Sequence, residues 1–112
     1  RGKMIRVDMW NTWCGPCIRA MKSLQPLKEE LKDIVYLYIA DETSPEGKWK
    51  LMIPDIHGIH HRITNQQSAA LSTLYEYPGI PTYFIVNREG EISYKVTGFP
   101  GVEKLREELT QE

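Results

Sequence analysis

The feature that most limits how this chain can fold is a nearly continuous apolar run at residues 34–40. The run reads Ile-Val-Tyr-Leu-Tyr-Ile-Ala and is rich in β-branched and aromatic residues, which favour strands. Strands of this kind are buried on both faces, and parallel sheets covered by helices produce them. We therefore expect an α/β fold in which helices cover this strand.

A strand and an amphipathic helix precede this run. Residues 4–10 are rich in β-forming side chains and predict a strand. Apolar residues then recur every three or four positions, which is typical of a helix packed on one face; they are Ile18, Met21, Leu24, Leu27 and Leu31. Pro26 lies within this stripe and should kink the helix, because proline lacks a backbone donor and clashes with the preceding turn.

Residues 41–65 form a polar, irregular insert after the second strand. Prolines and glycines interrupt the insert and indicate turns. A helix-like spacing of apolar residues nevertheless predicts one or two short helical pieces; these residues are Trp49, Met52, Ile56, Ile59 and Ile63. A segment of this length in a small domain is long enough to be functional.

The second half of the chain predicts a helix, two strands and a final helix. Residues 66–76 are predicted to be helical with Asn65 as the cap, and residues 83–86 and 92–96 are predicted strands joined by a turn. The last helix is marked by Val102, Leu105 and Leu109. The order β-α-β-(insert)-α-β-β-α predicts a central mixed four-stranded sheet flanked by helices, in a single domain over residues 1–112.

Length and charge exclude several classes of protein. The chain has 112 residues and a net charge of −1, which suits one compact domain and argues against electrostatic capture of nucleic acid. No apolar run approaches the roughly 20 residues that cross a bilayer, so we expect no membrane span in this chain. Its two cysteines are too few for a disulfide-dense scaffold.

The first residues, Arg1-Gly2-Lys3, have neither an initiator methionine nor the apolar segment of a signal peptide. The first predicted strand follows at once. We therefore expect a domain cut from a longer precursor, and the first residues give no indication of the compartment.

Cys14 and Cys17 are the candidate chemical centre. They lie where the first strand passes into the first helix, in the string Trp-Cys-Gly-Pro-Cys. At a helix start this spacing lets the sulfurs form a disulfide and places Cys14 over unpaired N–H groups at the positive end of the helix dipole. The unpaired N–H groups and the helix dipole both favour the thiolate, which is the attacking species in thiol-disulfide exchange.

Other interpretations of the pair are a zinc site, a static disulfide and two inert thiols. Zinc would need four ligands, and the chain has no second pair of this kind. His57, His60 and His61 could complete the set, but they lie about 40 residues away, far from the spacing of a zinc finger. They could also bind a metal from one helical face, although Pro54 and Gly58 weaken a helix there. We therefore expect no metal site and favour redox chemistry.

Two segments resemble the thioredoxin superfamily. Residues 7–17 (Val-Asp-Met-Trp-Asn-Thr-Trp-Cys-Gly-Pro-Cys) resemble its active-site segment, and residues 79–82 (Gly-Ile-Pro-Thr) resemble its cis-proline loop. The similarity extends over essentially the whole chain and implies the thioredoxin fold. The long insert resembles the TlpA/ResA-like branch, whose members are mostly extracytoplasmic thiol-disulfide oxidoreductases.

Four residues are expected to take part in the chemistry. Cys14, at the helix start, should be the nucleophile, and Cys17 should be the resolving thiol. Burial of Asp8 in a mostly apolar strand should raise its pKa, so that it could accept the proton of Cys17; a solvated Asp at a strand edge is the alternative. Asp8 also matches the buried acid of thioredoxins. Glu42 matches an active-site glutamate of ResA-like proteins, and an ordinary loop glutamate is the alternative.

The resemblance also implies a substrate-binding rim. Pro81 would be cis, lie against the disulfide and leave the backbone of Ile80 free to pair with an extended substrate segment. The other expected members of the rim are Trp13, Gly15, Pro16, Gly79, Gly98 and Phe99. Trp10 is expected to pack beneath the site.

We predict a thiol-disulfide oxidoreductase that reduces protein disulfides through a Cys14/Cys17 cycle, without a cofactor. Its expected partners are protein disulfides and a reductase or membrane-bound electron donor. Gly-Pro between the cysteines favours a reductant, with a potential near about −270 mV. The alternatives are an oxidase or isomerase on the same fold and a non-catalytic binding domain. The insert favours the bacterial cell envelope or periplasm, with the cytoplasm as the alternative.

Overall fold

The apolar run of residues 34–40 forms the second strand of a mixed sheet flanked by helices. In the computed structural model, which describes residues 2–111, the thioredoxin fold is confirmed. The elements are β1 (Ile5–Met9), α1 (Gly15–Glu30), β2 (Val35–Ala40), α2 (Glu46–Met52) with a 3-10 turn (Ile53–Asp55), β3 (Ile59–Arg62), α3 (Asn65–Leu74), β4 (Thr82–Val86), β5 (Ile92–Thr97) and α4 (Val102–Leu109).

The strands are arranged in the order β3-β2-β1-β4-β5. The pairs β1–β2 and β2–β3 are parallel, whereas β4 is antiparallel to both β1 and β5. In this register Asp8 lies beside Tyr38 on one neighbouring strand and Tyr83 on the other. The centre of the sheet is therefore β1, and the cysteine pair follows directly from its carboxyl end.

The prediction of a four-stranded sheet is wrong, because the insert supplies a fifth strand. The insert does contain the short helical pieces that were predicted, at Glu46–Met52 and Ile53–Asp55. The apolar spacing that continues to Ile59 and Ile63 is not helical, however, and β3 pairs with β2 at the sheet edge. β3 has only four residues, so the alternation of its side chains is too short to be recognised against the helix-like spacing of the isoleucines.

The bounds of the helices also differ slightly from the predictions. Thr64 rather than Asn65 caps α3: its hydroxyl accepts the Gln67 N–H, and the Gln67 side chain accepts the Thr64 N–H, which is a capping box. This helix ends at Leu74, before the predicted bound. Pro26 lies inside α1, which continues to Glu30.

The apolar side chains pack on both faces of the sheet. On one face α1 and α4 cover a cluster formed by Met4, Ala20, Leu24, Leu27, Tyr83, Ile85, Leu105 and Leu109. On the opposite face Met9, Tyr77 and Phe84 pack together, with Leu71 of α3 against them. No helix within residues 2–111 is both long and apolar enough to cross a membrane.

Candidate active site

The cysteine pair lies at the first turn of α1. Cys14 caps this helix, and its sulfur accepts the backbone N–H of Cys17 over 3.2 Å. The two sulfurs form a disulfide, with the Cα atoms 5.3 Å apart. Cys14 is 4% exposed and Cys17 is 1% exposed. Cys14 is thus the more accessible of the two, but it is far less open than a helix start suggests.

The chain between β1 and the disulfide is fixed by buried polar contacts that the sequence analysis missed. The amide oxygen of Asn11 accepts the Asp41 N–H over 3.0 Å and the Ser44 hydroxyl over 2.7 Å. The Ser44 hydroxyl in turn accepts the Thr12 N–H over 2.9 Å. The loop after β2 therefore holds the loop that carries Cys14. A signal was available, since polar residues at the carboxyl ends of two neighbouring strands meet at one edge of the sheet.

Trp13 is an exposed aromatic side chain beside the cysteines. It is 59% exposed, and its indole N–H donates to the Thr43 hydroxyl over 2.8 Å. This bond holds a large apolar surface in place next to Cys14. Gly15 and Pro16 complete the turn between the cysteines, at the first positions of α1.

Asp8 is buried on the sheet face that α1 covers, since its partner on β4, Tyr83, belongs to the apolar cluster that α1 helps to form. It is 1% exposed, and no other group among residues 2–111 donates a hydrogen bond to its carboxyl oxygens. The nearest cation is Arg6, whose Nη2 lies 3.9 Å from Oδ2. Burial raises the pKa of Asp8 to about 6, and the charges of Arg6 and Lys28 lower it only in part. The solvated-edge alternative for Asp8 is therefore wrong.

Two buried cations share one tyrosine near Asp8. The Tyr38 hydroxyl accepts a hydrogen bond from Arg6 Nη2 over 3.0 Å and another from Lys28 Nζ over 2.9 Å. Sequence analysis identified neither cation. Arg6 had the alternation of β1 as a possible signal, because it lies on the same face as Asp8. Lys28 lies within the predicted apolar stripe of α1, four positions after Leu24 and three before Leu31, so the helical period was its available signal.

The segment around Pro81 lies beside the apolar cluster that contains both cysteines. The Ile80–Pro81 peptide bond is cis, as the resemblance implied. Ile80 packs against the cluster that holds both cysteines. The Thr82 hydroxyl donates to the Gly79 carbonyl over 2.5 Å, and the Gly98 N–H donates to the Pro81 carbonyl over 2.8 Å. These two bonds fix both sides of the segment.

Phe99 and Glu42 lie at the surface. The Phe99 ring lies 6.4 Å from the Tyr83 ring, centroid to centroid, at the end of the antiparallel strands. The Glu42 carboxylate accepts the backbone N–H of Asn65 over 3.0 Å, so it joins the loop after β2 to the first residue of α3. Glu42 thus has a structural contact with α3. Within residues 2–111, no hydrogen bond joins its carboxylate to either cysteine.

The histidines of the insert are not on one helical face. His60 and His61 are successive residues of β3 and point to opposite faces of the sheet, whereas His57 precedes the strand. His60 stacks on the Tyr38 ring at 5.0 Å, and burial lowers its pKa. Within residues 2–111, no cluster of three or more His, Cys, Asp or Glu side chains could hold a metal ion.

Comparison with known proteins gives matches over nearly the whole chain. The profile of a family described as thioredoxin-like matches residues 2–92, a range that includes Asp8, both cysteines and Pro81. A thioredoxin of Staphylococcus aureus is 35% identical over 103 residues, which are 92% of this chain and 76% of that protein.

Solved structures with the same fold are also similar. The thioredoxin domain of a thiol-disulfide oxidoreductase from Bacteroides vulgatus has a TM-score of 0.81 at 19% identity, over 98% of this chain and 81% of that one. The exposed lipoprotein thioredoxin of Streptococcus pneumoniae has a TM-score of 0.73 at 19% identity, over 96% of this chain and 84% of that one. At this level of identity the similarity concerns the fold alone.

Proposed function

The chain belongs to the thioredoxin-like family, and we propose that its thiol-disulfide oxidoreductase activity reduces disulfide bonds in proteins. The observation that carries the proposal is the closed Cys14–Cys17 disulfide at the first turn of α1, on the sheet face that also buries Asp8. A disulfide at a helix start can open and close without disturbing the core, because the helix and sheet are held by their own packing.

The reaction begins with the reduced pair. The Cys14 thiolate attacks one sulfur of a substrate disulfide, a bond forms between them, and the second substrate sulfur leaves with the electron pair. Cys17 then loses its proton to Asp8 and attacks the Cys14 sulfur. The Cys14–Cys17 disulfide forms as the bond to substrate breaks, so the substrate gains two electrons and the pair loses two. The structure corresponds to the end of this cycle.

Asp8 suits the role of proton acceptor. A general base works best when its pKa is close to the operating pH, and burial raises the pKa of Asp8 to about 6. The carboxylate is therefore present at neutral pH but still holds a proton well. Its carboxyl oxygens have no other donor among residues 2–111, which leaves them available for the proton of Cys17.

Substrates are proposed to dock on the rim formed by Trp13, Gly15, Pro16, Gly79, Ile80, Pro81, Gly98 and Phe99. Neither the N–H nor the carbonyl of Ile80 is hydrogen-bonded to another described residue. An extended segment of a substrate can pair with these groups, which gives affinity with little sequence preference. Trp13 supplies an exposed apolar surface next to Cys14.

Glu42 is proposed to act at the edge of the site, as the exposed carboxylate of the loop that also holds Asn11 and Thr12 through Ser44. Its bond to Asn65 fixes its position.

The electron donor is proposed to be a reductase or a membrane-bound relay, and the place of action is proposed to be the bacterial cell envelope. The insert and the similarity in fold to an exposed lipoprotein thioredoxin support this location.

Insulin reduction with a chemical electron donor tests the activity, and the redox potential of the pair tests its direction. We expect turnover that is lost in Cys14→Ser, and a potential near about −270 mV. A potential above about −180 mV would instead indicate an oxidase or isomerase. Absence of cysteine-dependent turnover would indicate a non-catalytic binding domain.

A further inference from the structure

We propose that Lys28 is a positioning residue that favours the charged form of the Asp8 carboxyl, and that the insert holds Lys28 in place for this purpose. This inference rests on the proposed role of Asp8 as proton acceptor. Lys28 lies near the carboxyl end of α1, and the insert lies outside both sequence motifs.

Lys28 is bonded at two points inside the protein. It is 8% exposed, and its ammonium group donates to the Tyr38 hydroxyl over 2.9 Å and to the His57 backbone carbonyl. Tyr38 is the register partner of Asp8 on β2. Lys28 thus joins the active-site helix, the strand beside Asp8 and the insert.

The charges in this buried region favour a carboxylate. Asp8 is the acid, while Arg6 and Lys28 are two cations that share the Tyr38 hydroxyl. Both cations also lie over the Tyr36 ring, at 4.9 Å for Arg6 and 5.3 Å for Lys28. Without them, burial alone would raise the pKa of Asp8 further. The positive charges therefore bring its proton affinity into the range where a base can work.

Few of the groups that face this region change charge near neutral pH. Burial raises the pKa values of Tyr36, Tyr38 and Tyr83, so they stay neutral, and burial lowers the pKa of His60. Arg6 stays charged. Burial, followed by the charge of Arg6, lowers the pKa of Lys28 to about 8, so Lys28 is mostly charged at pH 7. From α1 the remaining groups are Cys17 and Glu29, and the charge of Glu29 raises the pKa of Lys28.

Gly58 allows the insert to lie close to β2. Its φ is +152°, and a Cβ at this position would lie 2.7 Å from the Tyr36 carbonyl oxygen and 2.7 Å from the Tyr38 ring. Glycine therefore lets the insert backbone lie directly on β2. The preceding carbonyl, that of His57, then reaches Lys28.

The direct test is a carbon-13 NMR titration of the Asp8 carboxyl in the oxidised protein, where the cysteines do not titrate. Asp8→Asn assigns the signal. Lys28→Gln keeps a hydrogen-bond donor without the charge, and we expect it to raise the Asp8 midpoint by about half a pH unit or more. Lys28→Arg should keep the wild-type midpoint, and so should Lys22→Met, which changes an exposed lysine of the same helix. An unchanged midpoint in Lys28→Gln would overturn the proposal.

The functional test is the pH dependence of the release step. In Lys28→Gln the pH of half-maximal release should rise by the same amount as the Asp8 midpoint, because the base must be deprotonated to accept a proton. In the Asp8→Asn background the same lysine substitution should leave the profile unchanged. A shift of equal size in that background would show that Lys28 does not act through Asp8.

The two proposals fail separately. Wild-type protein that gives no turnover, while Lys28→Gln still raises the Asp8 midpoint, contradicts the proposed function and not the charge coupling. Normal turnover with an Asp8 midpoint insensitive to Lys28→Gln contradicts only the role of Lys28. For the insert, Gly58→Ala should raise the Asp8 midpoint in the same direction as Lys28→Gln; an unchanged midpoint would remove the insert from the coupling.

Discussion

At the scale of single residues, the site depends on one acid that is buried with few partners. Asp8 has a cation 3.9 Å away and no hydrogen-bond donor among the described residues. Such a carboxyl costs free energy when it ionises, so its charge state controls both stability and the proposed proton transfer.

Asp8→Asn should remove a pH dependence from the stability of the protein. Burial raises the pKa of Asp8 from 3.8 to about 6, so the folded state binds the proton more tightly than the unfolded state. This contribution is complete at about pH 4 and below and is lost as the pH rises through 6. Relative to wild type, the variant should gain about 1–3 kcal/mol between pH 4 and pH 8.

The measurement is urea unfolding of both oxidised proteins across this pH range. The comparison between two pH values cancels the constant effect of leaving Arg6 without its acid. A difference between variant and wild type that does not change with pH would show that Asp8 has an ordinary pKa in the folded protein.

Asp8→Asn should also separate the two chemical steps. The attack of Cys14 on substrate does not use the carboxylate, whereas the attack of Cys17 gives its proton to it. We therefore expect release from the mixed disulfide to slow more than attack, roughly 100-fold or more in view of the usual size of general base catalysis. Stopped-flow rates for the two steps, at pH 7, check this. Equal slowing of both steps would remove Asp8 from the mechanism.

Ser44 is the residue that connects the two loops at the site. Its buried hydroxyl accepts the Thr12 N–H and donates to Asn11, so Ser44→Ala removes the acceptor of the buried Thr12 N–H and one of the two hydrogen bonds to the Asn11 amide oxygen. We expect a loss of about 1–3 kcal/mol in the free energy of unfolding. Thr43→Ala is a useful comparison, since its hydroxyl is exposed and should contribute less than about 1 kcal/mol. Similar effects of the two substitutions in urea unfolding would argue against an anchoring role for Ser44.

At the scale of elements, β1 and α1 position the two cysteines, and the insert packs against β2, the strand next to β1. The carboxyl end of β1 leads into the cysteine turn, and the insert extends the sheet with β3. The contact between insert and β2 is tight at Gly58, where a side chain would meet the Tyr36 carbonyl. The conformation of the insert is therefore tied to the strand beside Asp8.

Gly58→Ala should destabilise the fold through this contact. The new methyl group would lie 2.7 Å from a backbone oxygen at a φ of +152°, so the insert must shift. We expect a loss of about 1–3 kcal/mol in the free energy of unfolding. The matched control is Gly47→Ala in α2, where a Cβ meets nothing within 4 Å. That change should be neutral or stabilising by up to about 1 kcal/mol, and an equal loss in both variants would contradict this description of the insert.

At the scale of the whole molecule, the order of elements could be predicted because hydrophobic period and turn chemistry are local. The apolar run of β2, the stripe of α1 and the alternation of β5 each show their structure within a few residues. The position of the cysteines followed from the strand and helix on either side. The burial of Asp8 followed from the apolar strand that surrounds it.

What could not be predicted depends on contacts between distant segments. Lys28 and Tyr38 meet His57 only when α1, β2 and the insert pack together, and no local pattern records this. The strand β3 owes its existence to pairing with β2, which overrides the helix-like spacing of its isoleucines. The anchoring of Asn11 by Ser44 likewise joins residues 33 positions apart.

A trapping experiment with Cys17→Ser tests the assignment of the two cysteines most directly. If Cys14 attacks and Cys17 resolves, this variant should accumulate a covalent adduct between Cys14 and a disulfide-containing protein such as insulin, visible by mass spectrometry and released by a chemical reductant. Cys14→Ser should form no adduct under the same conditions. An adduct on Cys17 in Cys14→Ser, or none in Cys17→Ser, would contradict the assignment of the two cysteines.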